Sequence, residues 1–298
     1  MSVVEYQVGA GAYGVVADLD GGAWTTLVSS GRLARVDRDG RVRHVDLGAA
    51  QSRPMALAQG PDGALWFSRG DDRIGRLDRS GNLSCFPLAP GSSPYGVCAG
   101  PDGAVWFTLL NADRVGRVTP DGGVEEFDLP LSGAFPSAIA AGPDGALWFT
   151  LHRADALGRI TVDGSVALHP LPARGAGPVG VHGGADAVWF TEIGAGRVGR
   201  LRPGGAVEEF ALPDPGSRPH AVVATPDGGC WATLWGSGSA VRLDADGAVV
   251  TAVDFGADSE PHGLALADDG SLWVALERGA LARVDPRSAS HGGSGPVR

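Results

Sequence analysis

Gly100-Pro101-Asp102-Gly103-Ala104-Val105-Trp106-Phe107-Thr108 is one of seven variants of the same short stretch in this chain. Its tryptophan recurs as Trp24, Trp66, Trp106, Trp148, Trp189, Trp231 and Trp273, at spacings of 42, 40, 42, 41, 42 and 42 residues. A period of about 40 to 45 residues with one tight turn and one large aromatic is the length of a four-stranded blade. So small a sheet cannot bury its own apolar faces, and the units must stack round a ring. The expected fold is all-β, a seven-bladed β-propeller with four-stranded blades. An eighth tryptophan, Trp235, is out of phase and needs its own explanation.

Within the third unit, period-two alternation and turn residues predict strands at Tyr95 to Ala99, Ala104 to Leu109, Arg114 to Thr119 and Val124 to Leu129, before Pro130. The outer-strand pattern Glu125-Glu126-Phe127 has a counterpart, Val4-Glu5-Tyr6, ahead of the first tryptophan and none after the last one. The N-terminal strand is therefore expected to complete blade seven, which closes the ring and leaves no open sheet edge. Residues 1–286 read as a single domain. The stretch 287–298, rich in Ser and Gly, reads as a disordered tail.

The 24 basic residues, all Arg, against 34 acidic ones give a net charge of −10 and no basic stripe, which speaks against nucleic acid as a partner. No signal-peptide pattern and no membrane-length apolar run is visible, so the chain is read as cytoplasmic and without membrane contact; a monomer is expected. Cys85, Cys98 and Cys230 are odd in number at strand-like positions and read as buried free thiols.

The repeats serve as their own alignment. Eleven residues before each tryptophan, ten in blade five, the innermost strand starts with Tyr13, Met55, Tyr95, Ser137, Val179, His220 and His262. Such strand starts ring one mouth of a propeller channel, the usual place for a site. Glu260 lies two before His262, on the same face if the segment is extended. A two-residue turn at Asp269-Gly270 pairs His262 with Glu277. Two carboxylates and two imidazoles thus converge on one mouth. Trp235 stands in blade six where Glu277 stands in blade seven, so it should flank His220. Glu192 reads as a structural hydrogen-bonding group and His152 as a solvated rim group, both outside the metal set.

Pro219-His220-Ala221, Glu260-Pro261-His262-Gly263 and Trp273-Val274-Ala275-Leu276-Glu277, on seven such repeats, closely resemble the virginiamycin B lyase family. The resemblance spans residues 1 to 285. It implies Mg²⁺ ligation by Glu260 and Glu277, a general-base role for His262, and substrate binding or proton donation by His220. It further implies a small-molecule cyclic depsipeptide substrate, opened at its ester by elimination across the threonine Cα and Cβ. Tyr13, Tyr95 and Trp235 are candidate substrate contacts for an aromatic macrocycle. The residue types suit that chemistry, since an imidazole of ordinary pKa, about 6.5, is a suitable base, and no Ser or Cys nucleophile stands in the constellation. Leu109, Leu151 and Leu234 depart from the family's habit of a Glu after Trp-Phe-Thr, which bears on the shape of the cleft. A metal-dependent lactonase or esterase and a non-catalytic binding propeller are the alternatives.

Overall fold

In the computed structural model, which describes residues 1–285, each of the seven stretches runs from a turn into the second strand of a four-stranded antiparallel sheet, and there are seven such sheets. Blade three shows why the motif is written as it is. Asp102 Oδ1 accepts the Trp106 indole N–H at 3.0 Å and the Ala104 amide at 3.3 Å, while Oδ2 pairs with Arg117 of the third strand at 2.9 Å. One carboxylate thereby fixes the turn, the indole and the neighbouring strand. Equivalent 3.0 Å bonds join Asp62 to Trp66 and Asp144 to Trp148. Trp106 is fully buried and stacks on Phe127 of the outermost strand, with ring centroids 5.4 Å apart and planes at 12°. Gly116, paired with Phe107 across the second and third strands, has no room for a side chain: a Cβ there would lie 2.3 Å from the phenyl ring.

The core is distributed between blades. Trp66 and Ile74 of blade two pack against Val97, Val105 and Phe107 of blade three, and similar layers separate the other sheets. Each blade buries its apolar faces against its neighbours, and this burial drives ring formation. Closure follows the expected route. Ser2–Gln7 is the outermost strand of blade seven, antiparallel to Ala280–Asp285, with Tyr6 opposite Leu281 and its ring 5.7 Å from that of Trp273.

The strands of the third unit are Pro94–Ala99, Val105–Leu109, Arg114–Val118 and Val124–Asp128, each end within a residue or so of the sequence reading. The register of blade seven differs from expectation. Its hairpin closes through three residues, Asp268, Asp269 and Gly270, with Ala267 N bonded to Ser271 O at 2.9 Å and Leu266 opposite Leu272. A β-bulge follows: Pro261 pairs with Leu276 and Leu264 with Val274, so His262 and Gly263 together face Ala275. The same bulge interrupts the innermost hairpin of every blade. Counting residues one for one outward from the turn misses it, because a bulge sets two residues of one strand against one of its partner.

The three cysteines are free; Cys230 is buried, whereas Cys85 and Cys98 are only half-buried. Among the described residues no helix is long and apolar enough to cross a membrane. The expected tail, 287–298, lies outside the described residues.

Candidate active site at the channel mouth

The bulge lies at the second and third residues of each innermost strand, and several of these residues line the central channel. Tyr13, Tyr95 and His220 line a cavity of about 150 Å³, whose remaining wall consists mostly of small and aliphatic residues such as Gly14, Ala56, Ile139 and Leu264. A space of that size is too small for a drug-sized ligand. A macrocycle would have to lie across the mouth, on the aromatic and imidazole rings that cap the channel.

Those rings are in mutual contact. His220 and His262, from adjacent blades, meet edge to face with centroids 4.7 Å apart at 79°. The ring of Tyr13 lies over His262 at 4.4 Å, and its hydroxyl is 3.3 Å from His220 Nε2 and hydrogen-bonded to the Tyr95 hydroxyl. His262 Nε2 is 2.6 Å from Glu277 Oε2. The contact expected between His262 and Glu277 therefore exists, although the register proposed for it does not; the bulge tilts His262 towards the end of the neighbouring strand. Trp235, in a short 3₁₀ turn at Trp235–Ser237, has its ring 6.4 Å from His262, so it flanks that histidine where His220 was expected. Arg218 lies over the indole at 5.2 Å, and the indole Nε1 is buried without a hydrogen-bond partner.

Glu260 is not extended. Its φ is +46°, and its carbonyl accepts the Glu277 amide at 3.2 Å. The equivalent residues Gly11, Arg53, Ser93, Phe135, Gly177 and Arg218 also have positive φ, so the turn belongs to the fold and Glu260 occupies it against its own preference. The strand-parity argument that placed Glu260 and His262 on one face fails for this reason, yet the turn still brings the backbones of Glu260 and Glu277 together. His152 is half-buried with its ring 6.0 Å from Phe135, and is not the solvated group expected. Arg218 was missed in the sequence; its signal was a charged residue at the turn position directly before Pro219, as Glu260 is before Pro261.

The profile of the virginiamycin B lyase family matches residues 1–284. The chain belongs to the virginiamycin B lyase family. A virginiamycin B lyase from Nocardia farcinica (strain IFM 10152) is 43% identical over 117 residues, which is 39% of this chain and 40% of that protein. A streptogramin B lyase structure superimposes with a TM-score of 0.91 at 35% identity, covering 95% of this chain and 96% of the other. A catalytically inactive His-to-Ala variant of virginiamycin B lyase from Staphylococcus aureus, crystallised with quinupristin, gives 0.90 at 33% identity over 95% and 98%. Membership of the virginiamycin B lyase family implies a carbon–oxygen lyase.

The electrostatics of this virginiamycin B lyase family site bear most strongly on His220 and the two phenols. Burial, and then the neighbouring His262, lower the pKa of His220 to about 3. Burial, and then the charge of Tyr95, hold the Tyr13 phenol well above its ordinary range; burial also raises Tyr95. His220 and both phenols are thus neutral at neutral pH and act as hydrogen-bonding groups. Because folding depresses the His220 pKa, the stability this group contributes is full above its ordinary value of about 6.5 and is lost as pH falls towards about 3. Glu192 works in the opposite sense: burial, and then the charge of Glu209, raise its pKa, so its contribution is lost as pH rises. Between pH 6.5 and pH 4 these two groups oppose each other, so the test is the difference between proteins: the melting temperature of the wild type should drop relative to that of His220→Gln as pH falls, and parallel curves would show that His220 carries no such linkage.

Mg²⁺ takes oxygen ligands in octahedral geometry, commonly one or two carboxylates and several waters. Glu260 and Glu277 offer two carboxylates from adjoining backbones, with the Glu277 side chain 45% exposed. Among the described residues no group of three His, Cys, Asp or Glu side chains forms a closed metal site. The described residues thus form no all-protein cage, and a cation held by these two carboxylates would need water to complete its shell.

Proposed function

We propose that this protein opens cyclic depsipeptides of the streptogramin B type by elimination at the ester, with His262 as the base. The observation that carries the reading is the pairing of His262 with Glu277 at a mouth floored by Tyr13, Tyr95 and His220. His262 Nε2 faces the half-exposed Glu277, and its Nδ1 is buried without a partner. The neutral imidazole of His262, oriented by Glu277, takes the proton from the threonine Cα. The electron pair forms the Cα–Cβ double bond, and the Cβ–O bond breaks to release a carboxylate still attached to the same chain. Tyr13, packed against the imidazole with its ring tilted by 36°, keeps the plane of His262 fixed through proton transfer. Neutral His220 donates a hydrogen bond to the ester, and Trp235 offers a flat wall beside His262. Glu260 and Glu277 would hold Mg²⁺, which when bound supplies a positive charge that favours the enolate-like form of the substrate.

The mass of the product tests this reading. Incubation of a streptogramin B with the protein and Mg²⁺ should give a linear product of unchanged mass, and a chelator should stop its formation without unfolding the protein. A product heavier by one water would establish hydrolysis and the esterase reading. No product at all would favour another substrate or a binding propeller.

A further inference from the structure

The bulge at each mouth residue leaves the amide after it without a strand partner, and a hydroxyl from the second strand fills the gap. In blade six, Thr233 Oγ1 accepts the Ala221 amide at 2.9 Å. The same hydroxyl donates across the blade seam to the carbonyl of His262 at 2.7 Å. Thr26, Ser68, Thr108, Thr150 and Thr191 make the same pair of bonds, each tying its own bulge to the mouth residue of the next blade. Blade seven breaks the series, because Ala275 stands opposite its bulge. The bulge of His262 therefore has no such hydroxyl on its own blade, and Thr233 holds it from outside.

Among the described residues, Thr233 is the one position in this series whose hydroxyl touches both histidine bulges: the amide following His220 and the carbonyl of His262. We propose that Thr233 is a positioning residue that sets the spacing of the His220 and His262 rings, and through it the aim of His262 at the substrate. The proposal rests on the reading of His262 as the residue that takes the Cα proton. Thr150 supplies a matched control, since it accepts the Ala138 amide at 3.1 Å and donates to Val179 at 2.9 Å, joining two mouth residues, Ser137 and Val179, that have no part in the reaction. Ser68 shows that a serine can make both bonds.

The experiment compares Thr233→Val with Thr150→Val. Both lose one buried hydroxyl bridge and should lose similar melting temperature. Misplacing a catalytic group by about 1 Å typically costs about 100-fold in rate, so Thr233→Val should lose about 10- to 100-fold in kcat with KM little changed. Thr150→Val should stay within about twofold, and Thr233→Ser should restore kcat. Nuclear magnetic resonance of the imidazoles gives a readout independent of turnover: the His262 and His220 signals should move in Thr233→Val and not in Thr150→Val. Should Thr233→Val fail to fold, Thr233→Cys against Thr150→Cys makes the same comparison with a much weaker donor. Equal effects of the paired variants on kcat and on the imidazole signals overturn the proposal. If the wild-type protein does not linearise a streptogramin B, the functional reading fails, and the imidazole signals alone still decide whether Thr233 positions the two rings.

Discussion

His262→Ala should reduce turnover of a saturating streptogramin B by about 10²- to 10⁴-fold, the usual cost of removing a positioned general base. It should also abolish exchange of the substrate Cα proton with solvent deuterium, since that exchange reports proton removal even when the ester does not break. His220→Ala should behave differently. Its ring is held neutral, with its pKa lowered to about 3 by burial and by His262, so its part is to hold the ester by a hydrogen bond and not to deliver a proton at neutral pH. The His220 variant should raise KM and retain part of the exchange. The departing carboxylate needs no acid, which agrees with a neutral His220. If His262→Ala kept near wild-type kcat while His220→Ala lost it, the assignment of the base would be reversed.

Removal of residues 1–7 should cost the protein its cooperative fold. The strand Ser2–Gln7 makes a six-residue antiparallel pairing with Ala280–Asp285, and Arg278 reaches back to Glu5 at 2.6 Å. Backbone hydrogen bonds contribute about 1 kcal/mol each net of solvation, so the lost pairing alone is comparable with the roughly 5–15 kcal/mol that holds a typical domain together. Deletion would also uncover Trp273 beneath Tyr6 and turn Ala280–Asp285 into an open sheet edge. The truncated chain is expected to aggregate or to lose its sharp thermal transition. A deletion variant melting within a few degrees of wild type would show that closure rests on the interblade apolar layers alone.

The blade number, the strand content and the route of closure were legible in the sequence because the repeat is long-range order written in one dimension. Seven tryptophans at a near-constant spacing admit one ring, and an outer strand present before the first unit and absent after the last admits one closure. The candidate site was legible for a related reason. In a repeat protein the scaffold residues recur, whereas the positions of His220, Glu260, His262 and Glu277 vary from blade to blade, and three of these four residues break the pattern. What the sequence could not set was how these side chains meet. The bulge at His262-Gly263, the left-handed backbone of Glu260 and the three-residue turn at Asp268 to Gly270 are backbone events, and counting residues one for one along the strands is blind to them. The seam between blades is likewise a matter of tertiary structure. Thr233 and His262 are 29 residues apart and belong to different sheets, and only stacking the blades brings a hydroxyl of one to the carbonyl of the next. The depressed pKa of His220 has the same origin, since it comes from burial and from an imidazole that blade stacking places 4.7 Å away between ring centroids.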